Sequence, residues 1–370
     1  MKFKLNQYFS IIKEWRKKVQ IPLFLILKTF LFFPVFRNRS FLQADQLFRC
    51  TEYHRFFKRK KRKFKTTISD THIVWCLFHI IADQLRTVLY KVYQQTDKSL
   101  YTYKSLRIGA TDGTVVGQNY VSVFQLLSVK APFMLDCEGY DKRGKELNAC
   151  RILINRLTDE FGQLIDLIVV DGLYKLKMMR FFDDLGIKTL IKTSEERLEP
   201  MDELDTFLGT ELGNDCIMTC KGTDKKRLEK YTMYMIEYDW HGTKVKVAKV
   251  EEEKLKPRNE KERYSTYYIV TNQLDLNMHE MREIAKLRWN IENNGFKELS
   301  AYANTKHIYS KDWEVVEKFL LFSFLSYNLI KLFKYELEKQ GNVWEPLYGK
   351  IKMTILFFVR RVGVLSINTS

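Results

Sequence analysis

The stretch LIDLIVVDGLY, residues 164–174, decides the fold of this 370-residue chain. Its apolar run, interrupted only by Asp166, indicates a buried strand that ends at Asp171, and Gly172 then allows the chain to turn away. Ligands and metals collect at such strand ends in open α/β sheets. Asp171 is therefore a candidate for metal binding, although an Asp-Gly pair after a strand is also common in a simple turn.

The segments on either side of this strand alternate between strand and helix patterns. Short apolar runs broken by Gly, Asn and Pro indicate strands, and apolar residues repeating on one face indicate helices. We predict strands at 106–114, 121–129, 132–137, 164–170 and 187–192, and helices at 145–161 and 176–185. This order, β-β-β-α-β-α-β, predicts an α/β fold with a mixed sheet and helices on its faces. Asp136 and Glu138 are expected in a solvated loop after the third strand, with the alternative that they form a pair supporting the residues of the site.

Two further regions depart from this pattern. Residues 195–272 are charged and show alternating apolar positions, which indicates an antiparallel β insertion. Residues 1–104 read as an all-α N-terminal domain, and helices resume near Asn277 and continue to about Leu337. We therefore divide the chain into a helical region at 1–104, a core at 105–194 and 273–340, the insertion at 195–272 and a C-terminal segment at 341–370.

Positive charge is concentrated at the N-terminus. The chain carries a net charge of +17, and residues 1–70 alone hold 18 Lys and Arg against 4 Asp and Glu. The densest part is RFFKRKKRKFK at 55–65, which is either a solvated charged loop or a contact to the DNA backbone. We favour DNA contact because the whole region shares the bias, with the candidate residues Lys58, Arg59, Lys60, Lys61, Arg62 and Lys63.

The apolar run IPLFLILKTFLFFPVF at 21–36 is too short for a membrane span. Its sixteen residues contain Pro22 and Pro34 and fall below the roughly 20 that a spanning helix needs. We predict a buried helix of an N-terminal bundle, with contact at a membrane interface as the alternative. Six cysteines without paired spacing, and no signal peptide, predict reduced thiols in the cytoplasm.

Two more carboxylates accompany Asp171. Asp112 lies in ATDGT at 110–114, where we expect it to end the strand 106–111, and Glu292 lies in RWNIENNGF at 288–296 on a predicted helix. Three gathered carboxylates repel one another unless a cation neutralises them, and Mg²⁺ prefers oxygen ligands. Two such ions roughly 4 Å apart would activate a water or a 3′-hydroxyl and stabilise the leaving oxygen, which is the chemistry of cutting and joining phosphodiester bonds.

Four segments together resemble a known family. They are DGT at 112–114, GKEL with Ala149 at 144–149, DGLY at 171–174 and RWNIENNGFKEL at 288–299. Over roughly residues 105–335 the chain resembles DDE transposases of the bacterial insertion-sequence type, in the group whose RNase H-like core carries a β-strand insertion. The DGLY segment and the segment beginning at Arg288 are fairly specific, whereas DGT alone is weak.

The resemblance implies a function and assigns residues to it. Asp112, Asp171 and Glu292 would be the metal-binding triad, with Mg²⁺ as cofactor and Mn²⁺ able to substitute. Arg288 would contact a DNA phosphate or a terminal base near the cleavage site. Lys297 is a candidate to contact the DNA end in place of the lysine that many relatives have seven residues after the Glu. The substrate would be double-stranded DNA, both transposon ends and target, cleaved and joined in a prokaryotic cytoplasm at the nucleoid by a homodimer on two ends.

Two positions depart from the family pattern. Many relatives have Tyr three residues before the Arg, where this chain has Ala285, and Lys seven residues after the Glu, where it has Leu299. These departures leave open a catalytically inactive, transposase-derived DNA-binding protein. A two-metal nuclease that does not join strands is a third possibility.

Overall fold

The computed structural model describes residues 5–17, 19, 21–34, 40–48, 69–141, 144–194, 197–210, 216–225, 227–257, 259–289 and 291–341. The basic segment at 55–65, with Lys58, Arg59, Lys60, Lys61, Arg62 and Lys63, lies outside the described residues. Nearly all of the C-terminal segment, from 342 onward, also lies outside them.

A mixed sheet of ten strands organises the part of the chain that the structure describes. The strands are β1 (Thr102–Tyr103), β2 (Leu106–Val116), β3 (Asn119–Leu126), β4 (Phe133–Tyr140), β5 (Leu167–Asp171), β6 (Lys188–Thr193), β7 (Met218–Asp224), β8 (Glu229–Trp240), β9 (Thr243–Lys254) and β10 (Tyr264–Thr271). They lie in the order β4-β3-β2-β5-β6-β10-β9-β8-β7, and β1 pairs with β2 at the side of this path.

The first half of the sheet is the RNase H-like core. β2, β3 and β4 form an antiparallel meander, while β5 runs parallel to β2 and β6 runs parallel to β5. The apolar residues of β5 are fully buried, because this strand lies between neighbours on both sides and layers on both faces. The predicted order β-β-β-α-β-α-β and the α/β fold class are confirmed.

Helices cover both faces of the sheet. They are α1 (Leu5–Phe9), α2 (Leu23–Phe32), α3 (Phe41–Phe48), α4 (Asp70–His79), α5 (Ala82–Gln94), α6 (Glu146–Phe161), α7 (Leu176–Asp184), α8 (Glu199–Leu208), α9 (Met278–Leu287), α10 (Lys297–Ala303) and α11 (Trp313–Lys339). Alternate residues of β5 face opposite layers, so that Ile168 and Val170 join one apolar core while Leu167 and Val169 join another. The long helix α11 packs in the first core against β4, α2, α4 and α5, and α9 packs in the second.

The N-terminal apolar run forms a buried helix, as predicted. Ile26 and Leu27 of α2 are each 1% exposed in the first core. No described helix is by itself long and apolar enough to cross a membrane, whereas α4 and α5, bent by 82° at their junction, satisfy that test of length and composition together. Leu77 of α4 and Leu89 of α5 are fully buried within the protein.

The second half of the sheet extends the first without a break. β7, β8, β9 and β10 are antiparallel, as expected of the insertion, and β10 pairs directly with β6 of the core. The insertion also contains a helix, α8, which packs on β8 and β9. A helix here was not predicted, because the charged residues of this stretch hide a short amphipathic face.

Two local predictions were wrong. β2 does not end at Thr111 but continues to Val116, because Gly113 and the residues after it pair with β3. Asp136 is fully buried within β4, where the guanidinium groups of Arg86 and Arg156 pair with it, and does not lie in a solvated loop. The helices predicted from about 277 to 337 are present as separate elements: α9 ends at Leu287, a π-helical turn covers Ile291–Phe296, and α10 and α11 follow.

Candidate active site

Asp112 and Asp171 lie side by side where β2 and β5 diverge. The parallel pairing aligns Ala110 with Val169, so the two aspartates, each two residues further along, face the same side of the sheet. β5 ends at Asp171, whereas β2 continues with β3. The backbone N–H of Gly113 donates to Asp112 Oδ1 and that of Leu173 to Asp171 Oδ1, each at 2.9 Å, which fixes one oxygen of each carboxylate.

Glu292 reaches the same place from the π-helical turn. Ile291 beside it is fully buried in the second core and anchors the turn. Arg288 joins the two elements: its Nη2 donates to Glu292 Oε1 at 2.8 Å and its Nη1 donates to Asp112 Oδ2 at 3.2 Å. No described residue accepts a hydrogen bond from the buried Nε of Arg288. The Arg288 side chain is 12% exposed, so this ion pair is largely shielded from water.

The site favours a proton or a cation on Asp112. Burial raises the pKa of Asp112 from its usual 3.8 to about 7; the Arg288 guanidinium opposes this shift, and the negative charges of Asp171, Glu146 and Glu292 add to it. A carboxylate with a pKa so high is short of positive charge despite the nearby arginine.

Glu146 is a fourth carboxylate at this site, and the sequence analysis did not single it out. It is the first residue of α6, and the pKa of its carboxyl is raised by burial, with a further contribution from the charge of Asp171. The hydroxyl of Tyr174 donates to Glu146 Oε1 at 2.8 Å. Glu146 belongs to the GKEL segment, so the signal that could have identified it was its place in that segment.

Lys192 is a second residue that the sequence analysis missed. It is the penultimate residue of β6, the strand next to β5, where the pairing register sets it opposite Asp171. Its ammonium lies 4.3 Å from the centre of the Tyr267 ring and 5.1 Å from that of the exposed Trp289. Burial lowers the pKa of Lys192 to about 7, and repulsion from Lys286 and Arg288 adds to the effect. A lysine at the end of the strand after Asp171 was the available signal.

The other predicted residues are distributed as follows. Lys297 is exposed at the start of α10, close in sequence to Glu292. Ala285 is fully buried in the second core and Leu299 is 3% exposed in the first, so both departures from the family pattern are packing positions in this chain.

The donor set suits a hard divalent cation, because it consists of carboxylate oxygens. No three Asp, Glu, His or Cys side chains of the described residues are already grouped as a metal site. The Arg288 guanidinium instead spans Asp112 and Glu292 and supplies positive charge between them. The residues therefore fit Mg²⁺ in their chemistry, and a cation there would take over the role of this guanidinium.

A comparison with protein families identifies the family to which the chain belongs. The family described as transposase DDE domain matches residues 132–329, a range that includes Glu146, Asp171, Arg288 and Glu292 and begins after Asp112. No significant match is found among curated proteins. Since the matched range covers more than half of the 370 residues, the protein belongs to the transposase DDE domain family.

Proposed function

We propose that this protein is a transposase that cleaves DNA at transposon ends and joins the freed 3′-hydroxyl to target DNA. Asp112, Asp171 and Glu292 are its metal-binding residues, and Mg²⁺ or Mn²⁺ is its cofactor. One observation carries the proposal: a single guanidinium, that of Arg288, bonds to both Asp112 and Glu292 beside Asp171. Residues far apart in sequence thus share a compact acidic site in a protein of this family.

The protein's own residues position the carboxylates and the DNA phosphate. Asp112 and Asp171 lie on rigid neighbouring strands, which holds their carboxylates in a fixed relation. A bound divalent cation would supply Lewis acidity toward a phosphate oxygen. Arg288, once its carboxylate partners are neutralised, is free to donate to a DNA phosphate, and guanidinium groups suit that contact.

The DNA partner is supported by charge and by exposed aromatic surface. Trp289 is 43% exposed next to Lys192, and base–aromatic stacking and phosphate contacts commonly occur together in DNA sites. The basic segment at 58–63, together with Lys297, adds contacts to the phosphate backbone. Since two transposon ends have to be bound and cleaved, the active form is at least a dimer.

The first experiment measures cleavage by the purified full chain of DNA taken from both sides of its own gene, with Mg²⁺ and with Mn²⁺. We expect Asp171→Asn to reduce cleavage by about 100-fold or more, since it removes a metal ligand, while DNA binding stays equal or becomes stronger. Asp184→Asn, at an exposed position at the end of α7, is the matched control and should cleave normally. An Asp171→Asn variant that still cleaves contradicts the triad.

The same assay separates the rival functions. Cuts at defined ends without joined products indicate a two-metal nuclease. Binding without cuts in either metal indicates an inactive DNA-binding descendant. The buried positions of Ala285 and Leu299 are the observation that keeps this second rival in view, because neither can supply the polar contact that relatives place there.

A further inference from the structure

Glu146 is held next to the two aspartates by a specific set of contacts. It begins α6, whose N-terminus lies against β2 at Gly113. A side chain at position 113 would overlap the Glu146 carboxylate and the Tyr140 hydroxyl. The absence of a side chain at Gly113 therefore lets Glu146 approach the strand immediately beside Asp112.

The two oxygens of Glu146 have different surroundings. Oε1 accepts a hydrogen bond of 2.8 Å from the hydroxyl of the fully buried Tyr174. Oε2 accepts a long bond, 3.4 Å, from the hydroxyl of Tyr140, and it is the oxygen nearest to the position that a side chain at Gly113 would occupy. The backbone N–H of Gly113, which donates to Asp112 Oδ1, also stabilises the Glu146 carboxylate. One oxygen is thus fixed, while the other makes a weaker tyrosine contact next to the strand residue that follows Asp112.

Glu146 also lacks a cationic partner among the described residues. Its hydrogen bonds come from neutral groups, the hydroxyls of Tyr140 and Tyr174 and the backbone N–H of Gly113, whereas its charge interacts unfavourably with those of Asp112 and Asp171. A carboxylate that is half-buried beside two others needs a cation for full neutralisation. Arg288 does not supply it, because its guanidinium bonds to Asp112 and Glu292.

We propose that Glu146 is a fourth metal ligand of this site and that its Oε2 binds a divalent cation together with Asp171. This inference rests on the proposed function, because it presumes that Asp171 binds metal. Its rival is a purely structural role, in which Glu146 only fixes Tyr174 and the turn after Asp171.

The test measures Mn²⁺ binding to the full chain without DNA, by electron paramagnetic resonance. Glu146→Gln keeps the size and an acceptor oxygen for Tyr174 but removes the charge, and we expect it to weaken Mn²⁺ binding by about tenfold. Tyr174→Phe removes the hydrogen bond but keeps the charge, and it should weaken Mn²⁺ binding less than Glu146→Gln does, because the ligand itself remains. The reverse order of the two variants would establish the structural role and overturn the proposal.

Asp171→Asn separates this proposal from the one that it rests on. If Asp171→Asn loses Mn²⁺ binding while Glu146→Gln retains it, the fourth ligand is wrong and the triad stands. If Asp171→Asn binds Mn²⁺ like the wild type, the assignment of the metal site is contradicted, and the proposed role of Glu146 is contradicted as well.

A second measurement uses the wild-type protein alone, so that folding of a variant plays no part. Fe²⁺ with ascorbate and peroxide generates hydroxyl radicals that cleave the backbone near the bound metal. We expect cuts near 112–114, 171–174 and 144–148, all suppressed by excess Mg²⁺. Cuts at the first two places without any at 144–148 would overturn the proposal.

Discussion

Arg288 is the residue on which the charge of the site depends. Its guanidinium is joined to Asp112 and Glu292 in the DNA-free protein, so a cation bound by these carboxylates competes with it. Opposite charges within a few ångströms in a shielded site interact by several kcal/mol, so this competition affects metal affinity. Arg288 thereby links metal binding to DNA binding, because a phosphate could attract the guanidinium away from the carboxylates.

We expect Arg288→Met to tighten Mn²⁺ binding to the DNA-free protein by about tenfold, since it removes a competing positive charge. Metal titration in the absence of DNA is the measurement. Arg288→Lys keeps the charge and is the matched control, with an affinity near that of the wild type. Weaker Mn²⁺ binding by Arg288→Met would mean that the arginine supports the metal site instead of competing for it.

Asp112 makes folding depend on pH. Its folded-state pKa of about 7 lies above the usual 3.8, so between these values the folded protein retains a proton that the unfolded chain has released. Stability contributed by Asp112 is thus present below about pH 4 and lost as the pH rises through 7. We expect metal-free Asp112→Asn to be more stable than the wild type by about 2 kcal/mol at pH 8, with no gain at pH 4.

Asp166 provides a control of opposite sign in the same denaturation series. Its side-chain hydrogen bond from Arg107 lowers the pKa of Asp166, so its stabilisation is present above the usual carboxyl pKa and is lost as the pH falls through the lowered value. Asp166→Asn should therefore be less stable than the wild type at pH 8. If both variants shift stability in the same direction, the assignment to Asp112 is wrong.

Sequence reasoning identified part of this site for a clear physical reason. Asp171 lies at the end of an apolar strand, and the fold class places the strand of Asp112 next to it. The sequence pattern could therefore identify both aspartates. Glu146 could not, because its approach depends on how closely the start of α6 lies to Gly113, which is a matter of packing between layers. Lys192 could not be identified either, since its position opposite Asp171 depends on the register of two parallel strands.

At the scale of elements, α9 ends one residue before Arg288 and is tied to the insertion by buried charges. Arg282 is fully buried and its guanidinium donates to Glu252 Oε1 at 2.8 Å and to Glu229 Oε2 at 3.0 Å. Lys286, one turn further, contacts both glutamates. The strands β8 and β9 thus help to hold the helix that leads to the site. The sequence showed that residues 195–272 are charged but not that these charges pair with α9, because pairing across 30 or more residues cannot be recognised from local sequence.

Breaking this network should cost stability. We expect Arg282→Met to lower the free energy of unfolding by about 3 kcal/mol, because it leaves Glu252 and Glu229 buried with less positive charge, as urea denaturation would measure. Arg263→Ala removes an arginine that pairs with Glu260 at the surface and should cost at most about 1 kcal/mol. Equal losses in the two variants would show that burial of the network contributes nothing.

At the scale of the whole molecule, one continuous sheet connects the core to the insertion. The sequence predicted the core strands in order and the antiparallel nature of the insertion. It could not predict that β10 would pair with β6, because β6 and β10 are separated by about seventy residues of chain and the edge of a sheet accepts any strand of suitable pattern. This pairing brings Tyr267 of β10 next to Lys192 of β6. The insertion therefore contributes directly to the surroundings of the site.

The uneven charge of the molecule gives the last prediction. Residues 1–70 hold most of the net positive charge, and the core is nearly balanced. Each phosphate that a cationic side chain neutralises steepens the logarithmic dependence of DNA affinity on salt by about 0.9. Replacing Lys58, Arg59, Lys60, Lys61, Arg62 and Lys63 with Ala should therefore reduce that slope by about 3 or more if at least half of them contact phosphate. The matched control removes six lysines from the insertion, namely Lys221, Lys225, Lys230, Lys244, Lys254 and Lys256. Filter binding from 50 to 300 mM salt gives the slopes of both variants. A larger change in the control variant would assign the contacts to the DNA backbone to the insertion instead of the N-terminal segment.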